Sequence, residues 1–195
     1  PHSLVRESAI RALGSLNNLD FSPIYKKVIE KDKAYNVIGK AISQLFFVAP
    51  EEALRLSKNF EKENTPYLIP KIAALYAESQ DKAYYAWFIE KIAISNPYQM
   101  YELCSYFNLY LLNQSDVTKK QSIELYKDIA KDADQNKYKR YIATASLFSL
   151  KNLLLTQQLE EGKPHEQIID EISKAINSIK VVEKDRELIE RYSEF

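Results

Sequence analysis

The sequence predicts an all-α chain of about eleven helices. Three observations predict it. Apolar residues recur with the period of a helix face along nearly the whole length. Only three glycines occur, Gly14, Gly39 and Gly162, too few for the tight turns of an all-β chain. Prolines and Ser, Thr, Asn or Asp residues stand where the periodic stretches begin, as they do at helix starts.

Taken in order, Ser3 is expected to cap a first helix with Leu4, Val5, Ala9, Ala12, Leu13 and Leu16 apolar, broken by Asn17, Asn18 and Asp20. Pro23 opens a second helix to about Glu30, with Ile24, Val28 and Ile29 inward. Residues 32–60 form a helical hairpin around which the chain is organised. Tyr35, Ile38, Ile42, Leu45, Phe46 and Ala49 line one face of its first helix, with Asp32 expected at the N-cap. Pro50 starts the second arm, and Glu51 and Glu52 sit in its first turn, where the helix dipole favours anions. Ala53, Ser57 and Phe60, with Leu54 and Leu56 flanking, give that arm its buried side.

A fifth helix starts either at the Thr65-Pro66 cap or near Pro70, with Ile69, Ile72, Ala73 and Tyr76 as its stripe. After a turn at Ser79, Gln80 and Asp81, a sixth helix spans 82–95, and Asn96-Pro97 starts a seventh, dense in aromatic residues, to about Leu112. Ser115-Asp116 caps an eighth carrying Ile123, Tyr126, Ile129, Ala130 and Ala133. A ninth runs from about 137 to 161, apolar on nearly every side in its middle, as suits a helix with several neighbours. Gly162 stops it. The tenth has the cleanest stripe, Ile168, Ile172, Ala175, Ile176 and Ile179, and a short last helix from Asp185 carries Leu188, Ile189, Tyr192 and Phe195.

The pairs Ala12-Leu13, Ala41-Ile42 and Ala74-Leu75 recur at intervals of 29 and 33 residues, the spacing of two-helix repeat units. The expected architecture is therefore HEAT-like antiparallel helix pairs forming a right-handed superhelical array. The chain reads as one helical-repeat domain over 1–195, with HEAT-like hairpins over about 3–96 and a closing helical bundle over about 97–195. It opens Pro-His-Ser without a Met, and a piece of a longer protein is expected.

Composition excludes several function classes. The 27 basic and 27 acidic residues cancel, and 13 against 11 in residues 1–97 and 14 against 16 in 98–195 leave neither half the excess that a nucleic-acid or membrane surface needs. The longest apolar run, 83–89, is far short of a membrane span. A soluble chain is expected. The single Cys104 excludes an internal disulfide and reads as a buried, inert thiol.

Motifs of chemistry are missing where they would be sought. His165-Glu166 opens like the zinc-peptidase motif H-E-x-x-H, but Ile169 stands at the place of the second histidine and the only other histidine is His2. The pair reads as a solvated helix start. No Gly-x-Ser-x-Gly elbow and no glycine-rich phosphate loop occurs. No catalytic, cofactor-binding or metal-ligating residue is assigned. Lys137, Lys139 and Arg140 beside Tyr138 and Tyr141 mimic a nucleic-acid patch, but Asp132 and Asp134 adjoin them.

The unusual feature is the aromatic load, 14 tyrosines among 12% aromatic residues. These rings either fill gaps between stacked helices with their hydroxyls at the wet edge or line a partner or peptide surface. The candidates for that surface are Tyr84, Trp87, Tyr98, Tyr101, Tyr106 and Tyr110.

Five stretches stand in order along the chain: VRESAIRALGSL at 5–16, DKAYNVIGKAISQL at 32–45 with the Pro-Glu-x-Ala-Leu element at 50–54, IAALYAESQDKAYYAWF at 72–88, YKRYIATASLFSL at 138–150 and IKVVEKDRELIERY at 179–192. Together they resemble the C-terminal HEAT-like helical domain of bacterial zinc aminopeptidases of the aminopeptidase N family. The resemblance implies a metallopeptidase whose zinc lies in a separate catalytic domain that carries H-E-x-x-H. This chain would be its non-catalytic tail, closing the substrate chamber during removal of N-terminal residues from peptides. Its partner would be that catalytic domain, with the peptide contacted indirectly. The rival expectation is a free-standing helical-repeat scaffold for protein–protein interaction.

Overall fold

A computed structural model describes residues 2–16 and 21–193. The expected helix break at Asn17, Asn18 and Asp20, and Phe195 at the far end, lie outside the described residues. The all-α class holds: the described residues form eleven α-helices and no strand. They divide into two compact units, Pro1–Lys91 and Ile92–Phe195.

The first unit contains α1 (Ser3–Ser15), α2 (Ser22–Lys31), α3 (Tyr35–Val48), α4 (Pro50–Ser57), α5 (Ile69–Ser79) and most of α6 (Tyr85–Ile94), with 3-10 turns at Lys58–Phe60 and Lys82–Tyr84. α3 is its centre and packs against α1, α2, α4 and α5. The sequence explains why. Lys40 is the only charged residue of α3, and Val37, Ile38, Gly39, Ala41, Ile42 and Leu45 are all buried, so the apolar band is far wider than one stripe. Gly39 permits the closest approach. A Cβ there would lie 2.6 Å from the Tyr67 carbonyl oxygen, in the turn that leads into α5.

Several local expectations are corrected. His2, not Ser3, caps α1, its Nδ1 accepting from the Leu4 amide at 3.3 Å. Asp32 does not cap α3, which begins at Tyr35 behind Ala34. Asp32 instead ends α2 and takes a two-pronged bond from Arg6, at 2.7 and 2.8 Å, while also accepting from the Ala34 amide at 2.9 Å. The stronger claim on the carboxylate comes from a guanidinium on another helix. On α2 the inward residues are Tyr25 and Ile29, and Ile24 faces solvent. α5 begins at Ile69 with Pro70 in its first turn, the second of the two starts offered by the sequence. Pro50, Glu51 and Glu52 open α4 as expected.

The second unit holds α7 (Pro97–Leu111), α8 (Asp116–Lys131), α9 (Lys137–Glu161), α10 (Glu166–Val182) and α11 (Arg186–Tyr192). α9 runs between the expected bounds and packs on α7, α8, α10 and α11. Gly162 closes it in the left-handed conformation at φ 67°. The stripe of α10 is buried at all five of its expected positions. A polar bridge crosses this apolar interior: Asn108 on α7 donates to the Ser146 carbonyl on α9 at 2.8 Å and accepts from the Tyr126 hydroxyl of α8 at 3.0 Å. Among the described residues no helix is long and apolar enough to cross a membrane.

Two expectations follow. Gly39→Ala puts a methyl group against backbone that has no rotamer to yield, and should lower unfolding stability by about 1–3 kcal/mol in denaturant titration. The second concerns acid. Arg6 holds the Asp32 carboxyl down at about 2 in the folded chain, below the ~3.9 of an unfolded aspartate. Its contribution is therefore complete above about pH 4 and is lost as pH falls toward about 2. Thermal midpoints measured across that window should fall less steeply in Asp32→Asn than in the parent chain.

Candidate functional site

The six aromatic residues singled out by the sequence do not make one surface. Tyr84 and Trp87 belong to the first unit, and the other four to the second. Tyr84 is 8% exposed and stacks on Tyr76 with ring centroids 3.6 Å apart. Trp87, equally buried, meets Tyr76 edge-on at 5.1 Å and donates its indole N–H to the Glu61 carbonyl at 3.4 Å. Tyr110 is fully buried, its ring stacked with Phe107 at 6.1 Å. These three are corrected to core residues: their rings are engaged by other rings and their faces are closed to a partner. Tyr106 is half-buried.

Tyr98 and Tyr101 remain, 78% and 66% exposed on α7. Their aim is set by the start of that helix. Asn96 and Gln99 form a reciprocal capping box, with the Gln99 amide donating to Asn96 Oδ1 at 3.0 Å and the Asn96 amide to Gln99 Oε1 at 3.3 Å. Pro97 takes the first helical position. Tyr98 and Tyr101, three apart, then share a face. Met100, Leu103, Cys104 and Phe107 point inward. Leu109 extends the exposed side, and Glu102 is the only charge in the fifteen residues of α7. The result is an outward aromatic strip almost free of charge. The sequence carried a signal for it: the apolar run 103, 104 and 107 leaves 98 and 101 on the other side of the wheel.

The reactive side chains are withdrawn into the fold. Cys104 is buried and its thiol is pushed up to about 12 by burial, so the thiolate that nucleophilic chemistry requires is scarce at neutral pH. His165 is corrected from a solvated to a buried residue. Its Nε2 lies 3.0 Å from Gln157 Oε1, and the Gln157 amide reaches Asn113 and Glu161. Burial, then Lys119, pulls the His165 imidazole below the ordinary histidine range, with Asp116 and Glu166 opposing. The histidine thus joins the end of α9 to the start of α10 as a neutral hydrogen-bonding group.

Buried cations do similar work. Lys91 points its ammonium at the Glu63 carbonyl at 3.5 Å, and Lys119 donates to the Gln114 carbonyl at 2.7 Å. The basic run near residue 137 is tied up in ion pairs, Lys137 with Glu187 at 2.6 Å and Arg140 with Glu183. Among the described residues no group of three His, Cys, Asp or Glu side chains is placed to hold a metal ion. Compared with protein families, with curated proteins and with solved structures, the chain matches none.

The two kinds of tyrosine separate by mutation. Replacing Tyr98 and Tyr101 together by Ala should move unfolding stability by no more than about 0.5 kcal/mol. Tyr110→Ala should cost about 3–5 kcal/mol in the same denaturant titration.

Proposed function

We propose that this chain is a non-catalytic helical domain that works by packing against another protein domain. The observation that carries the reading is the outward strip of α7, where Tyr98 and Tyr101 stand on a helix with a single charge. Exposed tyrosines supply large, rigid contact area and a hydroxyl that tolerates a wet rim, which is why they concentrate at interfaces. The buried histidine and lysines support it from the other side, because their polar atoms are hydrogen-bonded within the fold.

The resemblance supplies the partner: the catalytic domain of a bacterial zinc aminopeptidase of the aminopeptidase N family, with this chain as its C-terminal tail. The segments that carry it lie on α1, on α3 and α4, on α5 and α6, on α9, and on α10 and α11. In this reading the zinc and the water it activates belong to the partner. The tail bounds the chamber in which N-terminal residues are removed from peptides and meets the peptide only through that chamber. Nucleic acid and membrane insertion have no part, and the compartment is the cytoplasm or periplasm. A free-standing helical-repeat scaffold is the second reading, favoured by the same strip of α7, which is indifferent to which protein covers it.

Co-expression with the polypeptide encoded immediately upstream separates the two. The expected outcome is co-purification with a domain bearing H-E-x-x-H, weakened about tenfold or more by Tyr98→Ala with Tyr101→Ala. No association with a zinc-peptidase domain would overturn the aminopeptidase reading and leave the scaffold. Zinc-dependent hydrolysis of an aminoacyl nitroanilide by the pure chain would overturn both.

A further inference from the structure

In the first unit α1 and α2 both pack on α3 and leave between them a cleft of about 320 Å³. Arg11, Gly14 and Ser15 line it from α1, Tyr25 from α2, and Gln44 and Phe47 from α3. We propose that this cleft binds a small organic carboxylate with an aromatic body. The site is separate from the α7 strip and does not depend on it.

Four features of the cleft support that ligand. First, Tyr25 is 1% exposed and lines the cleft, so that a buried aromatic ring forms part of its wall. Second, positive charge is in excess. Lys40, one turn before Gln44, is pushed below its ordinary range by burial, then by Arg11 and Lys71, and only Glu7 opposes. That one carboxylate already accepts from Arg11 at 3.0 Å and from Asn36 at 2.8 Å. An anion beside Arg11 relieves the repulsion, and the planar guanidinium fork matches a carboxylate.

Third, the Gln44 carboxamide lies across Gly14, so close that a Cβ on Gly14 would sit 1.7 Å from Gln44 Oε1. The missing side chain lets the amide lie against α1 at the wall of the cleft, as a neutral donor and acceptor. Fourth, Phe47 is 75% exposed on α3, a helix otherwise among the most buried of the chain. At the lip of the cleft its face is free to stack on an aromatic ring. The volume lies at the low end of the about 300–1,000 Å³ of ligand pockets, which fits a small molecule.

The test is a two-dimensional 1H–15N NMR titration of the full chain with 3-phenylpropionate, its neutral amide 3-phenylpropionamide, and inorganic phosphate. The expected result is saturable shifts at Arg11, Gly14, Tyr25, Gln44 and Phe47 with phenylpropionate, and affinities about tenfold or more weaker for the amide and for phosphate. Arg11→Gln and Phe47→Ala, both at exposed side chains, should each weaken phenylpropionate by about tenfold while leaving the rest of the spectrum in place. The proposal is overturned if phenylpropionate causes no saturable shift, if the amide or phosphate binds as well, or if neither variant changes its affinity.

Discussion

A helix that is apolar around most of its circumference must be surrounded, and each unit of this chain is built to meet that demand. α3 and the middle of α9 are the stretches in question. Neither can hide its band against one partner, so each recruits four neighbours. The remaining helices need only one apolar side, which they present to a centre already in place. The connections follow from this division. The connections lay the outer helices against the central one, and Gly39 sets how closely the α5 side can come.

Polar groups inside the units obey a second constraint, that a buried donor or acceptor must find a partner. Asn108 bridges α7, α8 and α9 because its carboxamide gives and takes at once. Lys91 and Lys119 turn their ammonium groups onto carbonyls that helix ends and turns leave over. Glu183 accepts from Arg140 and from the Lys184 and Asp185 amides, so a single carboxylate ties α9 to the turn between α10 and α11. Such residues look functional in a sequence and act as fasteners in the fold.

This separates what could be read from the sequence from what could not. α9 and α10 were legible because period, cap and stop agree: the stripe of α10 survives unchanged, and Gly162 ends α9 where only a left-handed residue will do. Asp32 was misread because a local cap and a distant guanidinium compete for the same oxygens, and only the fold decides between them. Ile24 and Tyr25 exchange roles for the same reason, since both are apolar enough to face inward and the neighbouring helices choose. The candidate surface was half legible. Periodicity around Leu103, Cys104 and Phe107 puts Tyr98 and Tyr101 outside, but nothing local distinguishes Tyr84 or Trp87 from them. Their burial depends on Tyr76, from a different helix.

The way α1 is fastened has a consequence of its own. Ile10 is its one fully buried residue, and its other grips on the unit include the Arg6–Asp32 pair and the Glu7–Asn36 bond. The central helices are held by exclusion of water, which added salt reinforces or leaves alone, whereas α1 is held in good part by charge, which mobile ions screen. Ionic strength therefore acts on this chain unevenly. It reaches the first helix before the core, and the amides of α1 are the ones to exchange with solvent through partial opening while the rest of the unit stays closed.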